Sequence, residues 1–500
     1  MSEKKLNINV ENSDAAIYVD THRPRVRYSR MLFGQFLEHF HRQVYGGIFE
    51  PGSPLSDEHG FRLDVVEALR ELRVPVVRWP GGCFVSAYHW AHGIGPNRRP
   101  EYDKAWRVED PNTFGTDEFV TWCRMIGAEP YICTNGGTGS SQEMSDWVEY
   151  CNLAEVGRWA KMRLASGFRE PHRVNYWSIG NENYGDWEMG AKSAVEWGRF
   201  VAESAKMMKR VDPTIKLYAA AMPDLDWTLT LLRAAGQYLD CVSIHGYWDG
   251  LWQNNQPSSY STCMMRALQP EAAVRMTENV IAVAGFEGRI GIAFDEWNLR
   301  GWHHPLTDDW PADIASRDKN DINATYSMAD AIFSAGFLNS CLRHASTVRM
   351  ANMAPVVNTR GPLFVHSRGI VMRTTYHVLW MYANLLGNEV CDAYVDCAMM
   401  CEGDSKVPVV DAVVTHDGAH GQYHAVLVNR HADRAVTCMM MSDGVKLNGS
   451  FAATQLSGDS TEAYNDIDQP DRVFPVATQI AFADGQVVIP PHSITIVTIT

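Results

Sequence analysis

The sequence lacks the features that would direct it to a membrane or to nucleic acid. No run of about 18 apolar residues occurs, so the sequence predicts no membrane span. The first residues carry no apolar segment of signal-peptide length, and we therefore expect a cytoplasmic protein. Blocks of Lys and Arg are absent too, and the formal net charge is −15, the wrong sign for a nucleic-acid or anionic-membrane partner.

Motifs for metals and cofactors are also missing. The 11 cysteines include no C-x-x-C pair, and their odd number and scattered positions predict reduced thiols that are mostly small buried side chains. The runs Glu38–His41 and His303–His304 do not have the spacing of a zinc site, and the glycine-rich segment 136–141 has no P-loop lysine. We therefore expect neither a metal nor a cofactor.

The composition is that of an ordinary globular protein, with 46% hydrophobic and 21% charged residues. From about residue 30 to residue 385, short apolar runs alternate with longer amphipathic segments. Eight runs predict strands: Met31–Leu37, Val74–Trp79, Glu129–Thr134, Val174–Ile179, Lys216–Ala221, Cys241–His245, Ile290–Phe294 and Val348–Asn352. The intervening segments predict helices: Asp57–Arg73, Thr116–Ile126, Gln142–Ala165, Ala191–Arg210, Trp227–Tyr238, Glu271–Ala284 and Ile322–His344. Eight strand–helix units predict a (β/α)8 TIM barrel, with a doubly wound open sheet as the alternative.

The spacing of apolar residues changes after about residue 386. Helical periods give way to short alternating segments separated by Gly and Asp turns, which predicts a C-terminal antiparallel β-sandwich domain. The predicted strands are Pro408–Val414, Tyr423–Asn429, Ala435–Met441, Thr478–Phe482, Gln486–Ile489 and Ile494–Thr500. We expect three units: an N-terminal segment, 1–29, that lends a strand such as Leu6–Val10 to the sandwich, the barrel at 30–385, and the sandwich at 386–500.

Two glutamates follow predicted barrel strands, at the end where such barrels carry their reacting groups. Glu182 comes after the fourth strand and Glu296 after the seventh, each among Asn, Gly or Trp residues. Both strand ends open into one mouth, so the two carboxyl groups are placed to flank a scissile bond. Glycoside hydrolysis needs such a pair, one to protonate the leaving oxygen and one to attack or to activate water. The sequence therefore predicts a glycoside hydrolase.

Five segments carry a family resemblance and occur in the family's order: Gly34–His39, Val44–Gly52, Arg78–Gly82, Trp177–Glu182 and Phe294–Asn298. In these segments the chain resembles glycoside hydrolase family 51, whose best-known members are intracellular α-L-arabinofuranosidases. The resemblance implies a (β/α)8 barrel plus a β-sandwich, a retaining mechanism, no cofactor and often a hexamer.

The resemblance also implies the roles of individual residues. Glu182 is the expected general acid/base and Glu296 the expected nucleophile. The residues expected to hold or line the sugar pocket are Glu38, Cys83, Asn181, His245, Tyr247 and Trp302. Of these, Glu38 would bind hydroxyls of the sugar, Asn181 would hold the 2-hydroxyl, and Tyr247 would lie near the nucleophile. The expected activity is the release of terminal arabinofuranose from oligosaccharides by a two-step double displacement.

The chain departs from the family pattern at several pocket positions. Cys83 stands where the family usually has Asn, and Pro355 where it usually has Gln. Other departures are Gly246, Asn183–Tyr184, and Arg300, which occupies the position of a usual Trp while Trp302 lies close by. Because a pocket that loses hydrogen-bonding groups changes the hydroxyl pattern it accepts, other substrates stay open. The alternatives are a β-xylosidase, a β-galactofuranosidase or an endo-β-glucanase and, in another class, a non-catalytic sugar-binding protein.

Overall fold

A closed barrel of eight parallel strands forms the centre of the molecule. The computed structural model describes residues 13–251, 256–301, 312 and 321–500. The barrel strands, in chain order, are β1 Gly34–Phe36, β2 Val76–Trp79, β3 Glu129–Thr134, β4 Tyr176–Ile179, β5 Lys216–Ala220, β6 Cys241–Gly250, β7 Gly291–Gly301 and β8 Val348–Met353. Each neighbours the next, and β8 pairs with β1 to close the barrel. The predicted TIM barrel is confirmed, and the doubly wound alternative is wrong.

Ten α-helices accompany these strands in the described part of the chain. They are α1 Leu63–Glu71, α2 Thr116–Ile126, α3 Ser141–Asn152, α4 Arg158–Ala165, α5 Ala194–Val211, α6 Leu225–Ala235, α7 Tyr260–Met265, α8 Gln269–Val283, α9 Met328–Arg343 and α10 Thr374–Leu385. Side-chain caps fix several N-termini: the Ser193 side chain accepts from the Glu196 backbone N–H, and Glu196 returns a bond to Ser193. These reciprocal bonds satisfy backbone donors that the first helical turn leaves unpaired.

The predicted helices differ from the observed ones where turn or capping residues start or end a helix inside a segment whose apolar residues keep helical spacing. The segment 142–165 forms two helices, α3 and α4, because the chain turns between them and Gly157 takes a φ of +98° that favours glycine. The last predicted helix of the barrel starts at Met328 rather than Ile322, since Ser327 and Asp330 form a capping box there. Before β1, residues Arg30–Phe33 form a 3-10 helix instead of extending the strand.

Two further sheets, mostly antiparallel, make up the second unit. One has the order 392–397, 15–20, 436–442, 445–446, with 486–489 also paired to 436–442. The other has the order 26–27, 389–390, 410–417, 422–429, 493–499, 449–457, 476–482. Apolar side chains such as Ile17, Val414 and Leu427 form one buried cluster between them, as a sandwich requires. The predicted sandwich is confirmed.

The N-terminal contribution to the sandwich is Ala15–Asp20. It pairs antiparallel with Asp392–Cys397 and parallel with Val436–Ser442, so one pair in this sheet departs from the antiparallel expectation. The predicted strand Leu6–Val10 lies outside the described residues. The unit boundaries at residues 29 and 385 stay a prediction.

Buried side chains inside the barrel separate its two ends. The residues Val76, Tyr131, Tyr218, Cys241, Ala293 and Met350 come from six different strands and form a buried cluster distinct from the helix-packed core. Nine of the 11 cysteines are buried and all 11 are free thiols, as predicted. Among the described residues, no helix is both long and apolar enough to cross a membrane.

A buried ion-pair network ties helix α9 to strand β7. Arg300 is 1% exposed, and its Nε and Nη2 each lie 2.9 Å from a carboxylate oxygen of Asp330, the capping residue of α9. Its Nη1 bonds Asp249 on the neighbouring strand β6. Arg300 therefore serves the scaffold, and Trp302, the alternative for this position, lies outside the described residues.

Replacing Arg300 by Ala should destabilise the fold strongly. The change leaves Asp330 buried without its guanidinium partner, and breaking a buried pair in this way costs about 3–5 kcal/mol. Urea unfolding followed by tryptophan fluorescence measures the loss. Arg275→Ala is the matched control, because its ion pair with Glu271 lies on the exposed side of α8 and should contribute less than about 1 kcal/mol. Equal effects of the two variants would contradict the assignment.

Candidate active site

Arg78 lies at the centre of the site, at the end of β2. Its side chain is fully buried and reaches two residues on strand β7 and one just after strand β4. Nη1 donates to Glu296 Oε1 at 3.0 Å, Nη2 donates to Asn181 Oδ1 at 2.8 Å, and Nε lies 3.4 Å from Asp295 Oδ2. Because a guanidinium is planar and always charged, it fixes these acceptors in one arrangement.

Strands β6 and β7 continue together beyond the barrel and hold the predicted site residues His245, Tyr247 and Glu296 on paired backbone. Their register shifts between Ser243 and His245, after which His245 pairs with Glu296 and Tyr247 with Asn298. A bulge of this kind re-aims side chains at a strand end. Both strands extend beyond their predicted ends at residues 245 and 294, so Tyr247 and Glu296, expected in loops, lie on strands.

The two predicted catalytic carboxylates face one another across the mouth of the barrel. A carboxylate oxygen of Glu182, one of Glu296 and a ring nitrogen of His245 all lie within 4.8 Å of one another. Retaining glycosidases have carboxyl groups about 5–5.5 Å apart, whereas inverting ones need about 6.5–9.5 Å to admit a water. The separation here is on the short, retaining side.

Glu182 is held in a restricted backbone conformation. Its φ is +43°, in the left-handed region that non-glycine residues rarely adopt. Its Oε1 lies 2.7 Å from His245 Nδ1, and its Oε2 accepts from the indole N–H of Trp187 at 2.9 Å. Trp187 is 45% exposed, so this side of Glu182 borders solvent. The strained turn aims the carboxyl group into the mouth rather than along the surface.

The pKa values of His245 and the neighbouring carboxyl groups depend on one another. Burial lowers the pKa of His245, but the charge of Glu296 and hydrogen bonds with Asp295 and Glu182 outweigh it and raise that pKa to about 10. Burial raises the pKa of Glu182, yet the bond to His245 and its charge lower it overall. Against the cost of burial, Arg78 and His245 bring the pKa of Asp295 down to about 2. In the free enzyme, His245 therefore carries a proton beside an ionised Glu182.

Glu296 is surrounded by donors. Besides Arg78, the Tyr247 hydroxyl donates to its Oε2 at 2.8 Å. Arg360 donates from Nη2 to the Tyr247 oxygen at 3.0 Å, and its guanidinium lies 4.5 Å from the centre of the same ring. Two donors on different oxygens fix the orientation of the carboxyl group. This environment suits a nucleophile.

Glu38 is a carboxyl group of a different kind. Its Oε1 accepts from the Phe84 backbone N–H at 3.0 Å and from the Trp106 indole N–H at 2.8 Å. Burial, and then the charge of Glu296, raise its pKa to about 8, so it carries a proton at neutral pH. A Cβ at Gly82 would lie 3.1 Å from Glu296 Oε1 and 3.4 Å from Glu38 Oε2, so glycine here keeps the space between the two groups open.

Asn181 links Arg78 to a further carboxylate. Its Nδ2 donates to Glu188 Oε1 at 2.8 Å, and the Ser86 hydroxyl donates to Glu188 Oε2 at 2.5 Å. The Cys83 thiol lies at the same wall, with its sulfur within 4.8 Å of oxygens of Glu182 and Glu188. Burial, and then the surrounding carboxylates, raise the pKa of Cys83 well above that of a free thiol, so it is neutral. Cys83 therefore forms part of the wall rather than a nucleophile.

The structure brings together every predicted site residue that it describes: Glu38, Cys83, Asn181, Glu182, His245, Tyr247 and Glu296. Trp302 lies outside the described residues. Sequence reasoning left out Arg78, Asp295, Arg360, Glu188, Trp106 and Trp187. For Arg78 and Asp295 a signal was present, since both stand in the segments that carry the family resemblance. Pro355, at the position of a usual Gln, is buried after β8.

Within the described part of the chain, two groups have donor atoms close enough for a metal ion: Glu182, His245 and Glu296, and Cys83, Glu182 and Glu188. In the first group the donors already pair with one another and with Arg78 and Tyr247. In the second, the thiol is neutral and Glu188 accepts from Asn181 and Ser86. The candidate donor atoms in both groups therefore already have protein partners. Two facing carboxyl groups, one of them next to a protonated histidine, are what acid-assisted glycosyl transfer requires.

Comparison with known families matches both units of the chain. Residues 68–264 match the model of the alpha-L-arabinofuranosidase 1 domain, and residues 295–493 match that of the alpha-L-arabinofuranosidase C-terminal domain. An intracellular exo-alpha-(1->5)-L-arabinofuranosidase of Halalkalibacterium halodurans is 34% identical over 83% of this chain and 84% of its own length. Alpha-L-arabinofuranosidase C of Emericella nidulans is 33% identical over 93% of each chain.

A solved structure agrees with these matches. The arabinose complex of the alpha-L-arabinofuranosidase from Thermotoga maritima superposes with a TM-score of 0.87 at 32% identity, covering 97% of this chain and 99% of its own. A family 51 alpha-L-arabinofuranosidase from Bifidobacterium longum gives the same TM-score at 29% identity. This chain belongs to glycoside hydrolase family 51, the family of the α-L-arabinofuranosidases.

Proposed function

We propose that this chain is a retaining exo-α-L-arabinofuranosidase that releases terminal arabinofuranose from oligosaccharides. The observation that carries the proposal is the facing pair Glu182 and Glu296, whose nearest carboxylate oxygens lie within 4.8 Å. Family membership supports the chemistry, and the printed names of the relatives support the sugar.

In the first step, Glu296 attacks the anomeric carbon while the leaving oxygen takes a proton from the side of Glu182. Arg78 and Tyr247 hold Glu296 in place through their hydrogen bonds. The sugar becomes covalently attached to Glu296, and its configuration at the anomeric carbon inverts once. Positive charge that develops on the ring during this step is stabilised by the neighbouring carboxylates.

In the second step, Glu182 accepts a proton from a water molecule, which attacks the same carbon. The bond to Glu296 breaks, and a second inversion restores the original configuration. Asn181, anchored by Arg78 and Glu188, is positioned to donate to the 2-hydroxyl of the sugar, a bond that strengthens in the transition state.

The proton for the leaving group is shared between Glu182 and His245, which we call the acid/base pair. Nδ1 of His245 lies 2.7 Å from Glu182, close enough for direct transfer. The pair titrates as one unit that holds a single proton. Since the pKa of His245 is raised to about 10, the pair keeps this proton through neutral pH.

Location and assembly belong to the same proposal. We place the enzyme in the cytoplasm, a proposal supported by the name of one relative, which is called intracellular. The family resemblance favours a homo-oligomer, a hexamer in the first instance. Neither feature enters the chemistry above, because all of its residues come from one chain.

A panel of chromogenic substrates followed by product analysis tests the proposed function. The α-L-arabinofuranoside should be cleaved at least about tenfold faster than the β-xyloside or the β-galactofuranoside, a margin that differing hydroxyl contacts can supply. Proton NMR of the first product should show the anomer of the substrate. Inversion would refute the double displacement, and a preference for another sugar would refute arabinofuranose while leaving the mechanism intact.

Variants of the two glutamates should differ in their dependence on the leaving group. Glu182→Ala should lower kcat/KM by about 10²–10⁴-fold on an oligosaccharide, whose leaving group needs a proton, and much less on a 4-nitrophenyl glycoside. Glu296→Ala should lower it at least about 10³-fold on both, because no nucleophile remains. A Glu182→Ala loss that is the same on both substrates would contradict the acid role.

Glutamine should replace Glu38 with little loss. Glu38 is protonated at pH 7, so its Oε1 accepts from Phe84 and Trp106 while its other oxygen donates to the sugar. The amide of Glu38→Gln offers the same acceptor and donor, and we expect kcat/KM at pH 7 within about threefold of wild type. Glu38→Ala should lose about tenfold or more, since it leaves two buried N–H groups unpaired. Equal losses in both variants would show that Glu38 acts as a carboxylate.

A further inference from the structure

Glu188 is a buried carboxyl group for which the mechanism above has no chemical use beyond anchoring Asn181. It is 3% exposed and stands six residues after Glu182, in the turn that follows β4. Asn181 and Ser86 each donate to one of its oxygens, so its position is fixed from two sides. Burying a carboxyl group costs more free energy than burying an amide, and an amide oxygen could accept the hydrogen bond from Asn181 equally well.

The distance to Glu182 gives this carboxyl group an electrostatic role. Oxygens of Glu188 and Glu182 lie within 4.8 Å of one another. In a buried site with an effective dielectric constant of about 20, two charges at such a distance interact by several times the thermal energy. A negative Glu188 therefore makes it harder for the acid/base pair to lose its proton.

We propose that Glu188 is a positioning residue whose charge holds the transferable proton on the acid/base pair, Glu182 and His245, at and above neutral pH. The proposal rests on the proposed function, since it assumes that Glu182 protonates the leaving group. It adds a group that touches neither the reacting atoms nor the sugar and that acts only through the pair.

The titratable and charged groups that face Glu188 or the pair are Arg78, Cys83, Tyr184, His245, Tyr247, Asp295 and Glu296. One further carboxyl group, Glu38, lies beside Glu296, and its pKa of about 8 makes it titrate near neutrality too. Glu38 is present in the wild type and in every Glu188 variant, so it does not contribute to the difference between them. Burial first, and then nearby carboxylates, raise the pKa values of Cys83 and Tyr184 well above their ordinary values, so both stay neutral. Arg78 stays positive, and the pKa of Asp295 is about 2, so it stays negative.

Glu188 itself changes charge near neutrality. Burial, and then the charge of Glu182, raise its pKa to about 7, although bonds from Cys83, Ser86 and Asn181 oppose this. Below about pH 7 it is neutral, and as the pH rises it becomes negative and raises the proton affinity of the pair. Glu188 is therefore already negative in the alkaline range in which the pair, with the pKa of His245 raised to about 10, begins to lose its proton.

The test is the pH dependence of kcat/KM for Glu188→Gln, measured on an α-L-arabinofuranoside with an alkyl leaving group. Glutamine keeps the volume and the acceptor for Asn181 and removes the charge, while its NH2 group faces the Ser86 hydroxyl, which can accept instead of donate. We expect the alkaline limb of the profile to move to lower pH by about one unit, because the pair then loses its proton more easily. On the 4-nitrophenyl glycoside, which needs no proton, kcat/KM should change less than about threefold.

Two further variants separate charge from structure. Glu188→Asp keeps the charge and shortens the side chain, so its limb should stay at the wild-type pH even if kcat/KM falls. Glu143→Gln removes a half-buried charge elsewhere, on α3, where Glu143 pairs with His89, and should leave the limb unchanged. If Glu188→Gln does not fold, as judged by thermal melting, Glu188→Asn replaces it. This variant has the length of Glu188→Asp without its charge, so its alkaline limb should lie at lower pH than that of Glu188→Asp.

An alkaline limb of Glu188→Gln that coincides with the wild-type limb would overturn the proposal. So would a uniform loss of activity at every pH with both leaving groups, which would mark a merely structural role. The proposed function is tested separately by Glu182→Ala: if its loss does not depend on the leaving group, Glu182 is not the acid and both proposals fail. If Glu182→Ala behaves as expected and the limb of Glu188→Gln does not move, only the role of Glu188 is wrong.

Discussion

The site depends on one buried guanidinium. Arg78 contacts Asp295, Glu296 and Asn181, three residues from two further strands, and Asn181 extends the contact to Glu188. Several carboxyl groups could not share so small a volume without a fixed positive charge, because burial disfavours their ionised forms and their charges repel. Arg78 supplies that charge from β2, and protonated His245 adds a second from β6. The geometry of the two facing glutamates is a consequence of this arrangement.

The environment gives each carboxyl group a different state. Asp295 meets both positive groups and stays ionised, whereas Glu38 is buried near the charges of Glu296 and Asp103, meets neutral N–H donors, and is protonated at neutral pH. Glu182 is paired with an imidazolium, and Glu188 titrates near neutrality. One kind of group, the side-chain carboxyl, thus provides a base, a proton donor and a fixed charge within one cavity. The different states of these carboxyl groups come from their neighbours.

Much of this site could be predicted from the sequence, and what could not follows a physical pattern. The eight barrel strands were predictable because they are continuous apolar runs, buried on both faces. Glu182 and Glu296 were predictable because position after a strand fixes their place in a barrel. Glu188 and Trp187 were missed since their contacts depend on the turn after β4, where Glu182 has a positive φ that no propensity indicates. In the sandwich, strand 449–457 was missed because it is only partly buried and carries no strong apolar alternation. Strand 392–397 was missed although Ala393, Val395 and Cys397 alternate with polar or exposed residues, because these three side chains are small or only partly buried.

The strand Ala15–Asp20 lies between two strands that the ribosome makes more than three hundred residues later. During synthesis this strand emerges first and has no partner until the barrel has been completed, so its pairings are among the most distant in sequence of the whole molecule. Contacts of such high order form slowly. The sandwich sheet that contains this strand can therefore be completed only after the barrel has been synthesised. A polypeptide that starts after this strand would lack the middle of one sheet and leave two strand edges open to pairing with other chains.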